Sequence, residues 1–505
     1  MSLFRRGLVC AQAGLLAIAS TSGCATQSPR STSQVPSTGE SHRSAVVGRA
    51  SSKDAARPSR ELTPVSYEQP LPADVSSIPE RDEAFAGESE LSLDGLIDEV
   101  QRRNPSMQAA LAAWASAAER YPQAIALDDP MLQSMAAPGS FPSASNVQSS
   151  YYVGIAQKVP WYGKRALRGQ VAQWESNAAS FDSQEVQLRL AEAARLAYFD
   201  YYLVYRELEI NNATTDDFQK FRETANEKYV SNLVTQQDVL QADVELAKLE
   251  SRRIELEQNE RVTVARINTL LHRVPDHSLP PPAASLDVVD GLPGVEFLRQ
   301  FALEQRPELS AKAARIQAEQ SSVELACKEF YPDFEFMGRY DQFWTDVEQR
   351  PQVGMNVNIP LNQSRRKAAV REAMYRLSKL QAEYDQEVDN IRYDVQTAYV
   401  RLDASRRNVR LYAGKILPAA ESNIASANAG YVAGNVDFLR VIEAQRELLE
   451  LREKHQEAIA EFYRRRAELE RVVGGPLPAA SSSQSSDARS VIAEAESPDT
   501  SLHSN

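Results

Sequence analysis

The sequence predicts a mainly α-helical chain with a four-stranded β contribution, built from two copies of one unit. Three observations predict it. First, two stretches follow one plan: "YYVGIAQKVPWYGKRALRGQ" from Tyr151 and "PQVGMNVNIPLNQSRRKAAV" from Pro351. Each is an alternating run, then a proline, then a basic turn. Val153-Gly154 aligns with Val353-Gly354, and Val159-Pro160 with Ile359-Pro360. Second, each half holds two short segments that alternate with period 2, as strands with one polar face do. Third, residues 161–274, 361–417 and 419–475 contain no proline, so long helices can run through them.

The strands come first. Val353, Met355, Val357 and Ile359 alternate with Gly354, Asn356 and Asn358. Phe334, Phe336 and Tyr340 alternate with Asp333, Glu335, Arg339 and Asp341. Val153, Ile155 and Val159 alternate with Tyr152, Ala156 and Lys158. A fourth segment lies near Met131 to Ala136. One apolar and one polar face fit a soluble sandwich or a membrane barrel with a wet lumen. Four strands in so long a chain make a poor sandwich. Pro160 and Pro360 end the strand ladders, and Gly163 allows a sharp turn where the second half has Gln363.

Each half opens with a short helix: Asn104-Pro105 matches Arg306-Pro307, and proline suits the first helical turn. The long helices follow the strands. Val388, Ile391, Val395, Ala398, Leu402, Ser405 and Val409 step by 3 and 4, a heptad seam. Val186, Leu190, Ala193, Ala197, Tyr201, Val204 and Leu208 step slightly wider, so supercoiling should be mild. From Gly163 to about Ser231 such a helix would span on the order of 100 Å. Each long region breaks once, in "YVSNLVTQQDVLQA" from Tyr229 and "YVAGNVDFLRVIEA" from Tyr431. Asn232 and Gly434 suit a left-handed residue ending a helix. Thr235 with Asp238 reads as a capping box. Both breaks are expected to be tight turns between antiparallel helices.

The N-terminus reads as an export signal: Arg5 and Arg6, then an apolar region from Leu8 to Ala19, then "TSGC". This resembles a bacterial lipobox, which makes Cys24 the lipidated residue; ordinary secretory cleavage nearby would leave Cys24 incidental. Cys10 sits in the signal and Cys327 reads as a small buried hydrophobe. The predicted organisation is a signal over 1–23, a Ser/Pro-rich disordered tether over 24–88, repeats over 89–285 and 286–475, and a disordered tail over 476–505.

Composition narrows the function. The 505 residues carry formal net charge −13 and are 43% hydrophobic. Acidity argues against a nucleic-acid partner. After the N-terminus no apolar run reaches the roughly 18 residues of a spanning helix, so a membrane crossing would be a barrel. The smallest membrane barrel has about eight strands. Strands would therefore have to be pooled between copies.

In order, duplication and spacing, "NPSMQAA", "RPELSAK", "VPWYGKR", "AYFDYY", "AYVRLD" and the turns at Tyr229 and Tyr431 resemble the outer-membrane efflux proteins of the TolC type, over Leu91 to Val473. "PWYGKR" looks most like the branch paired with heavy-metal pumps. The resemblance implies a homotrimer, with a 12-stranded outer-membrane β-barrel and a periplasmic α-helical barrel. It implies passive efflux, powered by an inner-membrane pump and delivered through a periplasmic adaptor (membrane fusion protein). Its location would be the outer membrane, lipid-anchored, with a periplasmic extension. The adaptor would meet Asn232, Leu233, Val234, Thr235, Gly434, Asn435, Val436 and Asp437. Asp238 and Glu443 match acidic positions of the family's periplasmic constriction; Arg440 departs from it. Surface charges or caps are the plainer reading of all three.

No catalytic, cofactor or metal motif is present. His272 and His277 lack a completing zinc spacing, and no phosphate loop or nucleophile elbow occurs. The run from Arg446 to Val472 reads as a charged helix face. The rival is a non-conducting, lipid-anchored coiled-coil spacer of the bacterial envelope, which has no use for amphipathic hairpins.

Overall fold

The computed structural model describes residues 85, 87–137, 150–288 and 291–478. Cys24, the signal and nearly all of the tether and tail lie outside these residues. The first half runs α1 (Leu93–Arg103), α2 (Pro105–Ala118), α3 (Arg120–Ile125), β1 (Met131–Ala136), β2 (Tyr151–Val159), α4 (Lys164–Val230) and α5 (Gln236–Leu270). The second runs α6 (Val295–Gln305), α7 (Pro307–Lys328), β3 (Asp333–Asp341), β4 (Pro351–Asn358), α8 (Gln363–Leu411), α9 (Leu417–Val432) and α10 (Phe438–Val473).

Local chemistry sets the ends. The Ser92 side chain accepts from Gly95 N–H and caps α1, while Asn104 accepts from Ser106 N–H at 2.9 Å and caps α2. Pro105 and Pro307 open α2 and α7 as expected. The α4 helix is unbroken for 67 residues, about 100 Å of rise.

Its counterpart is not unbroken. Between α8 and α9, residues Tyr412–Ile416 form a π-helical turn directly before Pro418. Proline lacks an N–H and its ring crowds the carbonyl four residues back; a wider turn relieves both. The turn also absorbs one residue. "AYFDYY" from Ala197 and "AYVRLD" from Ala398 are 201 apart, whereas Tyr229 and Tyr431 are 202 apart. The helical repeat slips by one between them, and the π turn lies there.

Three buried clusters hold the helices together. Leu96, Val100, Tyr198, Phe199, Ile267 and Leu271 join α1 to α4 and the end of α5. Leu298, Ile391, Val395, Leu402, Phe462 and Leu469 repeat that arrangement with α6, α8 and α10. Phe218, Ala242, Leu249, Tyr431, Phe438 and Val441 tie the far ends of both helical hairpins together. The heptad seam of α8 is buried at Ile391, Val395, Ala398, Leu402 and Val409, with Ser405 half-buried. On α4 the buried stripe is broader than the seam read from the sequence. It takes in Ala191, Ala194, Tyr198, Phe199 and Tyr202, because α4 packs against α1, α2, α5, α7 and α10. Cys327 is half-buried on α7 rather than buried, since its position falls beside the stripe of Ala311, Ala314 and Ala318 that faces the neighbouring helices.

The four strands form one antiparallel sheet in the order β1-β2-β3-β4. Hairpins β1–β2 and β3–β4 each come from one half, and β2–β3 joins the halves. Among the described residues both outer strands, β1 and β4, keep one unpaired edge.

Candidate functional site

The sheet presents its apolar side chains outward. Leu132 is 77% exposed, Ile155 55%, Phe336 50% and Val353 94%. These residues share one face by pleat and register: Leu132 faces Ile155, Gln157 faces Phe336, and Gly338 faces Val353. The other face carries the polar side chains of β3 and β4, with Met131 and Met135 of β1 beside them. There Arg339 Nε donates to Gln352 Oε1 at 2.9 Å, and Asn356 Nδ2 donates to Glu335 Oε2 at 3.1 Å. A sheet with bare hydrophobes on one side and a hydrogen-bonded polar lining on the other suits lipid outside and water inside.

Aromatic side chains gather at both ends of the strands. Tyr151, Tyr340, Phe343 and Trp344 lie at the hairpin end, all at least a third exposed. Trp161, Tyr162 and Tyr331 lie at the helix end, with Tyr162 90% exposed. From Tyr151 to Trp161 the strand covers about 33 Å. Tilted as barrel strands are, that is an apolar height of roughly 25 Å between two aromatic girdles. Among the described residues no helix is long and apolar enough to cross a membrane.

The strand-to-helix junction is clasped across the two halves. Gly163 takes φ 87°, the left-handed region. Lys164 follows and is buried. Its Nζ donates to Asp333 Oδ1 at 2.9 Å, Glu329 Oε2 at 3.3 Å and the Tyr331 carbonyl at 3.3 Å. Trp161 N–H donates to the same Asp333 oxygen at 2.9 Å, and its ring stacks on Tyr331 and Phe334. A buried ammonium needs this full set of partners. At the second junction α8 uses a different device, Asn362 accepting from Arg365 N–H at 3.2 Å. Pro160 and Pro360 lie just past β2 and β4, where the ladders stop.

The helix turns are near-copies. Asn232 takes φ 59°, with Leu233 N–H bonded to Lys228 O at 2.8 Å; Gly434 takes φ 76°, with Asn435 N–H bonded to Gly430 O at 2.9 Å. Both close their helix as a Schellman motif. Lys228 Nζ reaches from one hairpin to the Tyr431 carbonyl of the other at 2.6 Å and lies 4.0 Å from its ring centroid. The capping box did not form. Thr235 donates its hydroxyl to the Asp238 carboxylate at 3.3 Å, and Thr235 makes no side-chain bond to the backbone. Two hydrogen-bonding side chains facing each other satisfy one another first.

Partial burial raises the Asp238 carboxyl, with the charge of Asp437 adding and the Thr235 hydroxyl opposing. Arg440 Nη1 pairs with Glu443 Oε2 at 2.9 Å on the exposed face of α10. The sequence singled out both without foreseeing that the arginine neutralises its own acid. Leu233 is 73% exposed at the tip of its turn. The sequence reading missed Glu245. It is buried on α5, accepts from Arg446 of α10 through both Nε, at 2.8 Å, and Nη2, and takes a third bond from Lys248 Nζ at 2.8 Å. Burial opposes its ionisation, but the bonds from Arg446 and Lys248 outweigh that and hold it below the usual range. The signal was available: Ala242, Glu245 and Leu249 step by 3 and 4, so an acid occupies a seam position. The charged α10 run likewise makes interhelical pairs, Arg464 with Asp200 at 2.9 Å and Arg471 with Glu192 at 2.8 Å. His272 ends α5 at φ 54°. Among the described residues no cluster of three metal-ligating side chains occurs.

Comparison with known proteins agrees with this architecture. The family described as outer membrane efflux protein matches residues 298–475. The cobalt-zinc-cadmium resistance protein CzcC of Cupriavidus metallidurans is 22% identical over 315 residues, 62% of this chain and 74% of that protein. Among solved structures, the outer-membrane channel OprN matches with TM-score 0.64 at 19% identity, covering 76% of this chain and 90% of that one. VceC of Vibrio cholerae matches with TM-score 0.63 at 19% identity, covering 76% and 97%. CusC matches with TM-score 0.64 at 16% identity, covering 76% and 92%. The chain is therefore similar in sequence to the outer membrane efflux proteins over residues 298–475, and it shares the fold of outer-membrane channels over about three quarters of its length.

Proposed function

We propose that three copies of this chain form the outer-membrane channel of a tripartite efflux system. Twelve pooled strands would make one barrel, and the long helices would continue it as a duct across the periplasm. Conduction is passive; an inner-membrane pump supplies energy and a periplasmic adaptor delivers the cargo. The adaptor meets the turns at Asn232–Thr235 and Gly434–Asp437, and Asp238, Arg440 and Glu443 line the approach to the periplasmic opening. Lipidation at Cys24 would hold the tether to the membrane. Kinship to a cobalt-zinc-cadmium resistance protein favours metal cations as cargo.

One observation carries the reading: an amphipathic sheet with two free edges, continuous with helices far longer than a globular core needs. Free edges are forbidden in lipid, so the sheet must close with other copies. The internal repeat says how. Ala156 faces Met131, and Asn356 faces Glu335; β2 and β4 are equivalent, so β1 and β3 are too. The β2–β3 pair Gln157↔Phe336 then becomes Val357↔Leu132 between copies, which keeps both side chains on the lipid face. The helices agree. In this chain α7 packs against both α4 and α8, while of the long helices α2 packs mainly on α4 and leaves Leu111 and Trp114 over 40% exposed. The missing flank of α2 is the α8 of a neighbour.

The test is mass and conductance of the detergent-extracted protein. A trimer that gives discrete channels in a planar bilayer is expected. A monomer that leaves the bilayer silent would overturn the reading.

A further inference from the structure

Arg165 and Arg366 do the same thing in the two halves. Arg165 Nε bonds the Ile125 carbonyl at 2.7 Å, at the end of α3. Arg366 Nε bonds the Glu329 carbonyl at 2.7 Å, just past α7. The residues before them, Lys164 and Arg365, are therefore equivalent; the repeat spacing widens from 200 at Pro160 and Pro360 to 201 here, and it is still 201 at Ala197 and Ala398. Lys164, the first residue of α4, is 1% exposed and sits on Glu329, just past α7, and Asp333, the first residue of β3. Arg365 is exposed, and its backbone N–H alone is engaged, by Asn362. Among the described residues its guanidinium has no acidic partner.

The missing acid can be placed by the repeat. Met131 is equivalent to Glu335 by register, so Asp129 is equivalent to Asp333. Asp129 is also exposed, and among the described residues its carboxylate has no partner. Within one chain the two residues flank opposite edges of the sheet, three strand spacings or roughly 14 Å apart. Between copies, the pairing of β4 with the next β1 brings them together. The residue types fit the change. Glu329 has Ile125 in its place, so one carboxylate remains where Lys164 has two. A guanidinium, with its planar fork, suits a single carboxylate better than an ammonium does.

We infer that Arg365 of each copy closes on Asp129 of the next. This would be an intersubunit clasp at the barrel–helix junction, equivalent to the buried Lys164–Asp333 clasp inside the chain. It rests on the oligomeric reading above and adds the contact that fixes neighbouring copies at the foot of the barrel. Each copy carries half of two such sites, and neither half is complete alone.

Charge exchange in the full-length protein tests it. Arg365→Asp and Asp129→Arg are each expected to lower the heat-resistant oligomer on gels roughly ten-fold, because like charges then meet. The double exchange is expected to restore it to within about two-fold of wild type. Loss without rescue, or no loss in either single variant, would overturn the clasp. Loss confined to Arg365→Asp would overturn it too and assign that arginine to lipid headgroups. A Leu132→Cys/Val357→Cys disulfide between copies, made in parallel, separates the readings. If it forms while the exchange fails, only the clasp falls; if it does not form, the pooled barrel falls with it.

Discussion

Glu185 on α4 offers a test whose sign is set by the structure. It packs among Arg189 of its own helix, Arg306 and Glu308 at the start of α7, and Arg471 of α10. Burial raises its carboxyl from 4.5 to about 7, Glu308 adds to this, and the arginines only partly offset it. Because the folded value lies above the unfolded one, the group costs stability that is absent below about pH 4.5. The cost grows between the two values and is fully present above about 7. At about 1.4 kcal/mol per pH unit the ceiling is roughly 3 kcal/mol; partial solvent screening leaves about 1 to 2 kcal/mol. Glu185→Gln should therefore stabilise the protein at pH 8 and leave it unchanged at pH 4.5. Thermal unfolding of the detergent-purified oligomer should show a rise of about 1 to 4 °C at the higher pH alone. A variant that is destabilised at pH 8, or shifted equally at both values, would refute the reasoning.

Other expectations follow from single features. Deleting Gly414 together with Pro418→Ala should convert the π turn to α-helix and keep α9 and α10 in register, so unfolding should move little. Deleting Gln396 instead rotates one side of the α8 seam by about 100° and should cost several kcal/mol by exposing Leu402 or Ile391; equal effects would contradict the register argument. Glu245→Gln should cost about 1 to 3 kcal/mol at pH 7 by leaving Arg446 and Lys248 without their acid. Since its folded carboxyl is held low, wild type should lose that advantage as pH falls through the folded value, seen as converging melting curves. Gly434→Ala should cost about 1 kcal/mol at a left-handed position, whereas Asn232→Gly should be near neutral.

Much of this fold was legible because its signals are local and stated twice. The alternation of Val353 to Ile359, the proline after each strand and the Asn232 and Gly434 turns each rest on a few neighbouring residues. Those turns carry the positive φ the sequence suggested. What was not legible depends on residues distant in the chain. Lys164 reads as one more basic residue until Asp333 and Glu329 are brought to it from the other half. Glu245 stands at a seam position, but only Arg446, 201 residues on, explains an acid there. The π turn was half visible: the repeat spacing slips by one residue between Ala398 and Tyr431, but spacing alone does not say whether a loop or a widened helical turn absorbs it. The candidate opening at Asp238, Arg440 and Glu443 was named by position, and its internal neutralisation depends on side-chain geometry. The proposed closure of the sheet would draw on other copies, which no spacing within one chain displays.

The closure is also where the account is most exposed. Cysteines placed in pairs across the β4 and β1 edges, in the Cys327→Ser background, read the register directly under mild oxidation. The repeat predicts that Leu132→Cys with Val357→Cys gives disulfide-linked dimers and trimers between copies. It predicts that Leu132→Cys with Val353→Cys, four residues or about 13 Å along the strand, gives none, since a disulfide needs Cα atoms within about 7 Å. Cross-linking at the second pair and not the first would put the seam in another register. Cross-linking at neither would mean that the four strands do not pool into a barrel.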